Sequence, residues 1–484
     1  MSEVNLMNQN RIPIYEALEK FLKNDPISFH VPGHKNGMLL KNEYPELSRF
    51  LAYDVTELSG LDDLHSPEGP ILEAQKLLSD YYGTRRSYFL VNGSTVGNLI
   101  MILSAFNVGD KVLVQRNCHK SIMNALALAK VYPIFIDPMI GEYTFVPEGV
   151  DQSIIKNAFE QYTDVKGLVL TYPNYYGMAS NLEDIVNTVR QHKGVILVDE
   201  AHGPHFHLGE PFPKSAIDLG ADMVVHSAHK MLPAMTMGSY LHINSNAISI
   251  SKVEYYYSVL QSSSPSYPIM ATLDIARHFI ANFNEEDINY TLSQRNSFVS
   301  SLCKLEGVEV VNRNMKQDPL KLIVRYKGYS GYMLQRMLEE ENIYIEMADP
   351  YQVVFILPLL KTNMAYSYNE ALVKIKNVFE KYKPKPNEIQ GLIVESDDKI
   401  GSLALSYEEM ADQPIEWVPF ENAENRIAAI MITPYPPGIP IILPGEVITG
   451  KRIELIKEYI EAHAKFQGKT SRLLSGEIAV YIKK

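Results

Sequence analysis

The chain has 484 residues, of which 46% are hydrophobic and 21% are charged, and its formal net charge at pH 7 is −12. The length predicts two or three domains, and the composition excludes a disordered or fibrous protein. A net negative charge without a Lys/Arg-rich block argues against nucleic acid or an anionic membrane as the main partner. An acidic surface is mildly consistent with a cationic substrate.

The sequence predicts neither secretion nor membrane insertion. Its first ten residues lack the basic and apolar regions of a signal peptide, and the most apolar later stretch, at 427–443, is interrupted by four prolines. The two cysteines, Cys118 and Cys303, have nothing like ligand spacing, so neither a disulfide framework nor a zinc site is expected. We therefore expect a cytoplasmic protein without a metal.

Short apolar runs alternate with segments of helical periodicity between about residues 82 and 242. Strands are predicted at 87–91, 111–114, 133–136, 167–170, 195–198, 222–225 and 239–242. Repeated strand–helix–strand units predict an α/β fold with a mainly parallel sheet and helices on both faces. The loops that follow such strands meet at one edge of the sheet, where ligands bind.

The rest of the chain is predicted to form accessory domains. One amphipathic helix is expected at 14–22, an α+β pattern begins near residue 286, and KPKPN at 383–387 is a predicted linker. The expected organisation is an N-terminal arm over 1–55, a large domain over 56–285, a small α+β domain over 286–382 and a C-terminal domain over 388–484.

Two strand ends have the residues that an aldehyde cofactor requires. The strand at 195–198 is followed by Asp199, and the strand at 222–225 is followed by the sequence SAHK, which ends in Lys230. Taken singly, such a lysine is usually a solvated surface residue, and such an aspartate can simply cap a helix. Together they suit pyridoxal phosphate (PLP), which needs a lysine to hold its aldehyde as a Schiff base and an acid to keep its pyridine nitrogen protonated.

A phosphate site is predicted where the first strand meets the next helix. The sequence NGST at 92–95 can offer backbone N–H groups and the hydroxyls of Ser94 and Thr95 at the positive end of the helix dipole. The same sequence is also an ordinary helix start. Ser227 and His229 are candidates for further phosphate contacts.

The cofactor ring needs a side chain on each face. His119, in RNCHKS at 116–121, follows a predicted strand and is suitably placed to stack on the ring, although by itself it is more typical of a helix start. Ala201 would pack on the opposite face, where a larger side chain would intrude.

The chain resembles the PLP-dependent ornithine/lysine/arginine decarboxylase family of bacteria over nearly its whole length. The matching segments are FHVPGHK at 29–35, LDDLH at 61–65, VNGST at 91–95, RNCHKS at 116–121, VDEAHG at 198–203, SAHK at 227–230 and PYPPGIP at 434–440. The resemblance implies the aspartate-aminotransferase fold, with PLP bound by the large domain, and decarboxylation of a basic amino acid to an amine or polyamine precursor and CO₂. It also implies a homodimer with active sites at the subunit interface.

One departure concerns assembly. No receiver-like domain is expected before the segment at 29–35, unlike in the large acid-induced members of the family. The resemblance is therefore to the shorter bacterial form, and the decameric assembly that this domain helps to build is in doubt for this chain.

The resemblance also implies roles for individual residues. Lys230 matches the Schiff-base lysine, Asp199 the partner of the pyridine nitrogen and His119 the stacking ring, and either Lys230 or His229 would return the proton to Cα. The residues implied in cofactor binding are Ser94, Thr95, His119, Asp199, Ala201, His202, Ser227, His229 and Lys230.

Two further implied roles concern the subunit interface and the substrate. QSSSP at 261–265 resembles a segment that reaches the phosphate across the dimer interface, with Ser262 and Ser263 as candidates and the family's usual Thr replaced by Ser. Glu446, in LPGE at 443–446, matches a carboxylate near the distal cationic group of the substrate. The alternative for Glu446 is a solvated loop acid.

Other functions remain open from the sequence. Transamination, aldol cleavage and lyase chemistry use the same fold and cofactor. An aminotransferase would normally have an arginine for the substrate carboxylate in its small domain, where Arg325 and Arg313 occur without a recognisable motif. A catalytically silent homologue is disfavoured because Lys230, Asp199 and His119 are intact. Arginine and lysine are slightly preferred over ornithine on the resemblance alone.

Overall fold

The computed structural model describes residues 7–179, 181–311, 317–386, 399–434, 440–461, 464–468 and 470–482. The chain forms two compact units. The first unit comprises Met1–Ala105, Val195–Glu210 and Lys214–Asn284, and the second comprises Phe106–Gly194, Pro211–Pro213 and Glu285–Lys484.

The helices of the described residues occur throughout the chain. In chain order they are α1 Pro13–Lys23, α2 Pro45–Leu51, α3 Pro70–Tyr82, α4 Gly93–Ala105, α5 Lys120–Ala129, α6 Gln152–Gln161, α7 Leu182–Gln191, α8 Ala228–Met231, α9 Ile250–Leu260, α10 Tyr267–Ala281, α11 Glu285–Leu302, α12 Gly331–Glu339, α13 Tyr368–Lys381, α14 Tyr407–Ala411, α15 Gly450–Glu461 and α16 Ser471–Leu474. Among the described residues, none of these helices is both long enough and apolar enough to cross a membrane.

The strands are mostly short and buried. In chain order they are β1 Arg86–Leu90, β2 Lys111–Gln115, β3 Tyr132–Ile136, β4 Met139–Ile140, β5 Pro147–Gly149, β6 Val165–Thr171, β7 Val195–Asp199, β8 Met223–His226, β9 Ser239–Ile243, β10 Val308–Val310, β11 Lys321–Tyr326, β12 Met347–Ala348, β13 Val353–Ile356, β14 Ile400–Ser402, β15 Ile415–Pro419 and β16 Glu477–Tyr481.

In the first unit, four strands lie side by side in the order β1, β9, β8, β7. Strands β7 and β8 are parallel, with Asp199 opposite Val225, whereas β9 is antiparallel to both β8 and β1. Helix α4 lies close to these strands at Gly97, because a Cβ atom there would come within 2.7 Å of Leu90 Cδ1 and 3.0 Å of Val225 Cγ1. Glycine therefore permits this close approach of helix and sheet.

In the second unit, β2 is parallel to both β3 and β6, and β14 pairs with β3 in the antiparallel direction. A separate antiparallel sheet has the order β10, β11, β13, β12. The antiparallel pair of β15 and β16 packs with α15 around a core of its own that includes Phe420, Ile442, Ile456 and Ile478.

The α/β fold and the mainly parallel character of the large-sheet strands are confirmed. Every predicted strand between residues 82 and 242 is present, with ends within two residues of those predicted, and the helix at 14–22 is α1. The α+β pattern after residue 286 is also present, as α11 to α13 with the sheet of β10 to β13. The four domain boundaries stay predictions, and Asn387 of the predicted linker lies outside the described residues.

Candidate active site

Asp199 is the last residue of β7, and its carboxylate is buried, with 3% of the residue exposed. Asn98 Nδ2 of α4 donates a hydrogen bond to Asp199 Oδ2 at 2.8 Å, and the Ala201 N–H donates to Oδ1 at 3.2 Å. Both donors are uncharged, so they orient the carboxylate without neutralising it. A buried carboxylate held in this way suits a cationic partner such as a protonated pyridine nitrogen.

Lys230 lies in the short helix α8, which follows directly after β8. Its Nζ atom is 3.1 Å from His202 Nε2, and His202 itself is buried. His229 Nδ1 donates to the carbonyl oxygen of Gly238 at 2.9 Å, which fixes its ring orientation. The structure therefore brings Lys230 and His202 together in the first unit.

The predicted phosphate loop at 92–95 forms the start of α4. Gly93 has φ of +80°, and its N–H donates to the carbonyl oxygen of Met237 at 2.9 Å. The hydroxyls of Ser94 and Ser227 share a hydrogen bond of 2.6 Å, which joins the start of α4 to the end of β8. Thr95 is exposed. Two hydroxyls thus lie beside the first-turn N–H groups of a 13-residue helix, which is a favourable arrangement for an anion.

The segment at 261–265 lies beside this phosphate loop in the same chain. Gln261 Oε1 accepts a hydrogen bond from the Val91 N–H at 2.8 Å, and the Ser262 N–H donates to Asn92 Oδ1 at 3.2 Å. Ser262 and Ser263 are both exposed. Their predicted contact with the phosphate of a second subunit stays a prediction.

The motif LDDLH at 61–65 has a structural role beside the segment at 261–265. The Asp62 carboxylate accepts hydrogen bonds from the N–H groups of Gly69 and Ile71, at 2.8 and 3.0 Å, and so caps the start of α3. His65 Nε2 donates to the carbonyl oxygen of Ser262 at 2.8 Å. The motif therefore connects α3 to the segment at 261–265.

His119 belongs to the second unit, where it is the N-cap of α5. Its Nδ1 atom accepts hydrogen bonds from the Ser121 N–H at 3.2 Å and from the Ser121 hydroxyl at 2.8 Å. The helix-start role that the sequence indicated is therefore present. Stacking of His119 on the cofactor ring stays a prediction.

Glu446 also belongs to the second unit, and it is not the solvated loop acid of the alternative interpretation. Arg116 forms a bidentate ion pair with its carboxylate at 2.5 and 2.6 Å, and Arg452 NH1 lies 3.1 Å from Glu446 Oε2. Burial alone would raise the pKa of Glu446, but the charge and hydrogen bonds of Arg116, with the charge of Arg452, lower it overall. Glu446 is therefore a buried carboxylate anion. Its contact with the substrate stays a prediction.

The residues of the first unit fit PLP in three ways. Asp199 supplies a buried acid oriented by uncharged donors, Lys230 supplies an amine at the end of the neighbouring parallel strand, and the start of α4 supplies an anion site. Ala201 is buried and small, as packing against a ring requires. The chemistry of this donor set matches an aldehyde cofactor with a phosphate and a protonated ring nitrogen.

Asn98 was missed by the sequence prediction. It is a buried polar residue within the otherwise apolar run at 96–103 of α4, and such a residue needs a hydrogen-bond partner. The sequence contains that signal, but it does not identify Asp199 as the partner of Asn98. Tyr435 to Ile439 of the PYPPGIP motif, and Arg313, lie outside the described residues.

Comparisons with known proteins identify the family of the chain. The family model for "Orn/Lys/Arg decarboxylase, major domain" matches residues 12–317, and that for "Orn/Lys/Arg decarboxylase, C-terminal domain" matches residues 387–471. The chain is 45% identical over 478 residues to the uncharacterized protein YaaO of Bacillus subtilis (strain 168), covering 97% of this chain and 98% of YaaO. It is 34% identical over 474 residues to the arginine decarboxylase of Bacillus anthracis, covering 96% of each chain.

A solved structure shows the same fold. The constitutive lysine decarboxylase of Escherichia coli matches with a TM-score of 0.79 and 19% identity, covering 98% of this chain and 82% of that chain. The sequence matches extend over nearly the whole chain and include both parts of the family model. The chain therefore belongs to the Orn/Lys/Arg decarboxylase family of PLP-dependent enzymes.

Proposed function

We propose that the protein decarboxylates a basic amino acid, one of arginine, lysine or ornithine, and releases CO₂ and the corresponding amine or polyamine precursor. The observation that supports this most is that Asp199 ends β7 and that Lys230 lies in α8, the short helix that directly follows the neighbouring parallel strand β8. This placement suits a flat cofactor held at one end by its ring nitrogen and at its aldehyde by the lysine.

Each residue of the first unit has a proposed task in holding PLP. Ser94, Thr95, Ser227 and His229 would bind the phosphate, and Asp199 would hold the proton on the pyridine nitrogen. When bound, PLP supplies an electron sink for the electron pair that remains at Cα after CO₂ departs. The buried setting of Asp199 strengthens its attraction for that ring proton, because little water competes for it.

Lys230 is proposed to take part in two proton transfers, one from its own amine and one to the Cα atom of the substrate. Its amine must lose a proton before it can act as a nucleophile, and His202 Nε2, at 3.1 Å, is within hydrogen-bonding distance of Lys230 Nζ. After CO₂ departs, Lys230 or His229 would return a proton to Cα. His119 and Ala201 would pack on opposite faces of the cofactor ring and hold the substrate's Cα bonds in a fixed orientation.

Among the three basic substrates, we propose arginine as the first to test. The Bacillus anthracis relative, at 34% identity over nearly the full length of both chains, is named arginine decarboxylase. The chain is only 19% identical to the constitutive lysine decarboxylase of E. coli, so that similarity supports the fold alone.

Transamination on the same cofactor is the second candidate, and the contacts of Arg325 do not favour it. Its Nε atom donates to Gln352 Oε1 at 3.0 Å, and its NH2 atom donates to the carbonyl oxygens of Tyr143 and Thr144 at 2.9 and 3.0 Å. Through these hydrogen bonds, Arg325 holds the loop that contains Tyr143 and Thr144 within the second unit. A substrate carboxylate would have to displace them.

A homodimer, or a higher homo-oligomer with shared active sites, is proposed as the working state. The stretch at 27–50 exposes several large apolar side chains, which a second copy of the chain would cover. They are Ile27, Phe29, Val31, Met38, Leu39, Tyr44, Leu47 and Phe50. Ser262 and Ser263 are also exposed, as a contact with a second subunit requires. The cytoplasmic location stays a prediction.

A substrate panel tests this function. The purified protein is loaded with PLP and incubated separately with arginine, lysine and ornithine, with and without an added keto acid, and CO₂ and amine products are identified by mass spectrometry. We expect CO₂ and one amine from arginine in stoichiometric amounts. Amino-group transfer to the keto acid without CO₂ would instead support transamination, and no turnover of any basic amino acid would contradict the proposal.

A further inference from the structure

A row of buried polar side chains crosses the strands of the first unit next to the cofactor residues. Ser87 Oγ is 2.8 Å from His242 Nδ1, His242 Nε2 is 3.1 Å from His226 Nδ1, and His226 Nε2 is 2.7 Å from Glu200 Oε2. Glu200 also accepts hydrogen bonds from the Ser215 hydroxyl and the Ala216 N–H, each at 2.8 Å. We call Ser87, His242, His226 and Glu200 the buried polar row.

This row lies on the face of the strands opposite to helix α4. Neighbouring residues of a strand point to opposite faces. Asp199, the last residue of β7, points to Asn98 of α4, whereas the side chain of Glu200, which follows it, bonds to His226. Likewise Val225 lies near Gly97 of α4, and His226 points to the other face. There the ring of Tyr82, in α3, lies with its centroid 5.1 Å from that of His226 and 4.7 Å from that of His242.

Burial favours the uncharged forms of the acid and of the two imidazoles in the row. Burial raises the pKa of Glu200 well above its usual value, lowers the pKa of His226 to about 3 and lowers the pKa of His242 well below its usual value. These shifts favour, at the Glu200–His226 contact, a hydrogen bond between a carboxylic acid and a neutral imidazole over an ion pair. In this state Glu200 donates to His226 Nε2, His226 Nδ1 donates to His242 Nε2, and His242 Nδ1 donates to Ser87.

We propose that Glu200 and His226 are positioning residues for the cofactor site. Their hydrogen bond joins the ends of β7 and β8 at residues adjacent to Asp199 and Ser227, and it holds the separation between the acid and the segment that contains Lys230. This role rests on the proposed PLP function. The bond lies on the face of the strands opposite to α4. It is well suited to fix the strand ends, because Glu200 and His226 are both fully buried and neither side chain can move without losing a hydrogen bond.

The chemistry of the neutral pair predicts which substitutions are tolerated. In Glu200→Gln, the amide nitrogen can donate to His226 Nε2 and the amide oxygen can accept from Ala216, so the connection is kept. In Glu200→Leu, the size is similar but the connection is lost. An active site displaced by about 1 Å can lose on the order of a hundredfold in rate.

The experiment compares these two variants with Ser87→Ala, which removes the far end of the row and leaves the Glu200–His226 bond in place. Each PLP-loaded protein is measured for the dissociation constant of PLP, for the absorption maximum of the bound cofactor, and for kcat and KM on the best basic amino acid. Thermal melting confirms that each is folded. We expect Glu200→Gln and Ser87→Ala to stay within about twofold of the parent chain in kcat, and Glu200→Leu to lose about ten- to a hundredfold in kcat and PLP affinity with little change in KM.

A folded Glu200→Leu variant with parental PLP affinity, absorption maximum and kcat would overturn the proposal, as would equal losses in Ser87→Ala and Glu200→Leu. If Glu200→Leu does not fold, His226→Phe makes the same test, because it keeps a ring beside Tyr82 and removes the acceptor for Glu200. PLP affinity and absorption are measured without turnover. Failure of the decarboxylase proposal, seen as absent CO₂ from every basic amino acid, is therefore distinguishable from failure of the positioning role.

Discussion

Asp199 illustrates how one residue acquires its function from its surroundings. Its burial and its bonds from Asn98 and Ala201 hold a carboxylate where a protonated ring nitrogen can bind. We predict that Asp199→Asn keeps the fold, because an asparagine oxygen can still accept from Asn98. We expect its kcat to fall by at least about 10²–10³-fold, because an amide does not keep the ring nitrogen protonated.

Steady-state kinetics with saturating PLP measures this loss, and circular dichroism confirms the fold. Asn98→Ala is the matched variant, since it removes the orienting bond and leaves the charge. Its loss in kcat should be smaller than that of Asp199→Asn. Near-normal activity of Asp199→Asn would mean that the partner of the ring nitrogen lies elsewhere in the protein.

Glu446 has a structural partner that bears on its predicted contact with the substrate. Since Arg116 is paired with it in a buried site, Glu446→Gln is predicted to lower the free energy of unfolding by about 3–5 kcal/mol. If Glu446 also binds the distal charge of the substrate, the variant will lose far more in kcat/KM than in PLP affinity. Melting curves, PLP titrations and kinetics on arginine, lysine and ornithine measure these effects.

Arg116→Met is the control for that variant, because it breaks the same ion pair and leaves the Glu446 carboxylate in place. A loss in kcat/KM that is confined to Glu446→Gln would support substrate binding. Equal losses in both variants, or full activity in Glu446→Gln, would contradict it. In that case the acid that recognises the distal charge has to be sought on another part of the protein.

At the scale of elements, helix α4 depends on its close approach to β1 and β8. We predict that Gly97→Ala lowers the free energy of unfolding by about 1–3 kcal/mol, because the new Cβ would come within 2.7 Å of the Leu90 side chain. PLP affinity should fall as well, since the phosphate loop begins this helix. Gly401→Ala, where no atom lies within 4 Å of the new Cβ, is the matched control.

Chemical denaturation and PLP titration of both variants measure these effects. Unchanged stability in Gly97→Ala would mean that α4 can shift without cost, and the argument from close packing would then fail. A loss in Gly401→Ala as large as that in Gly97→Ala would also contradict it, because the effect would no longer depend on the packing of α4.

The elements themselves were largely predictable from the sequence. Fully apolar runs such as 195–198 identify buried strands, and Asp199 and Lys230 could be assigned in advance to the chain just after two of them. Partners far apart in sequence were not predictable, because hydrophobic periodicity contains no information about them. Arg116 and Glu446 are 330 residues apart, and the His226–Glu200 bond depends on which strands become neighbours.

At the scale of the whole molecule, the homodimer that the family resemblance implies is supported by the exposed apolar side chains at 27–50. Phe29 is 94% exposed, and Tyr344, outside this stretch, is 76% exposed. We predict that light scattering of the parent chain gives the mass of at least two chains, that Phe29→Asp weakens this association, and that Tyr344→Asp does not. An active monomer would contradict the shared active site.

The most direct test of the proposed site is to find where PLP attaches. The PLP-loaded protein is reduced with borohydride, digested, and the modified peptide is sequenced by mass spectrometry, with Lys230→Ala treated in parallel. We predict a single modification at Lys230 in the parent chain, and neither modification nor CO₂ release from a basic amino acid in the variant. PLP attached to another lysine, or CO₂ release by Lys230→Ala at the parental rate, would contradict the assignment of the active site.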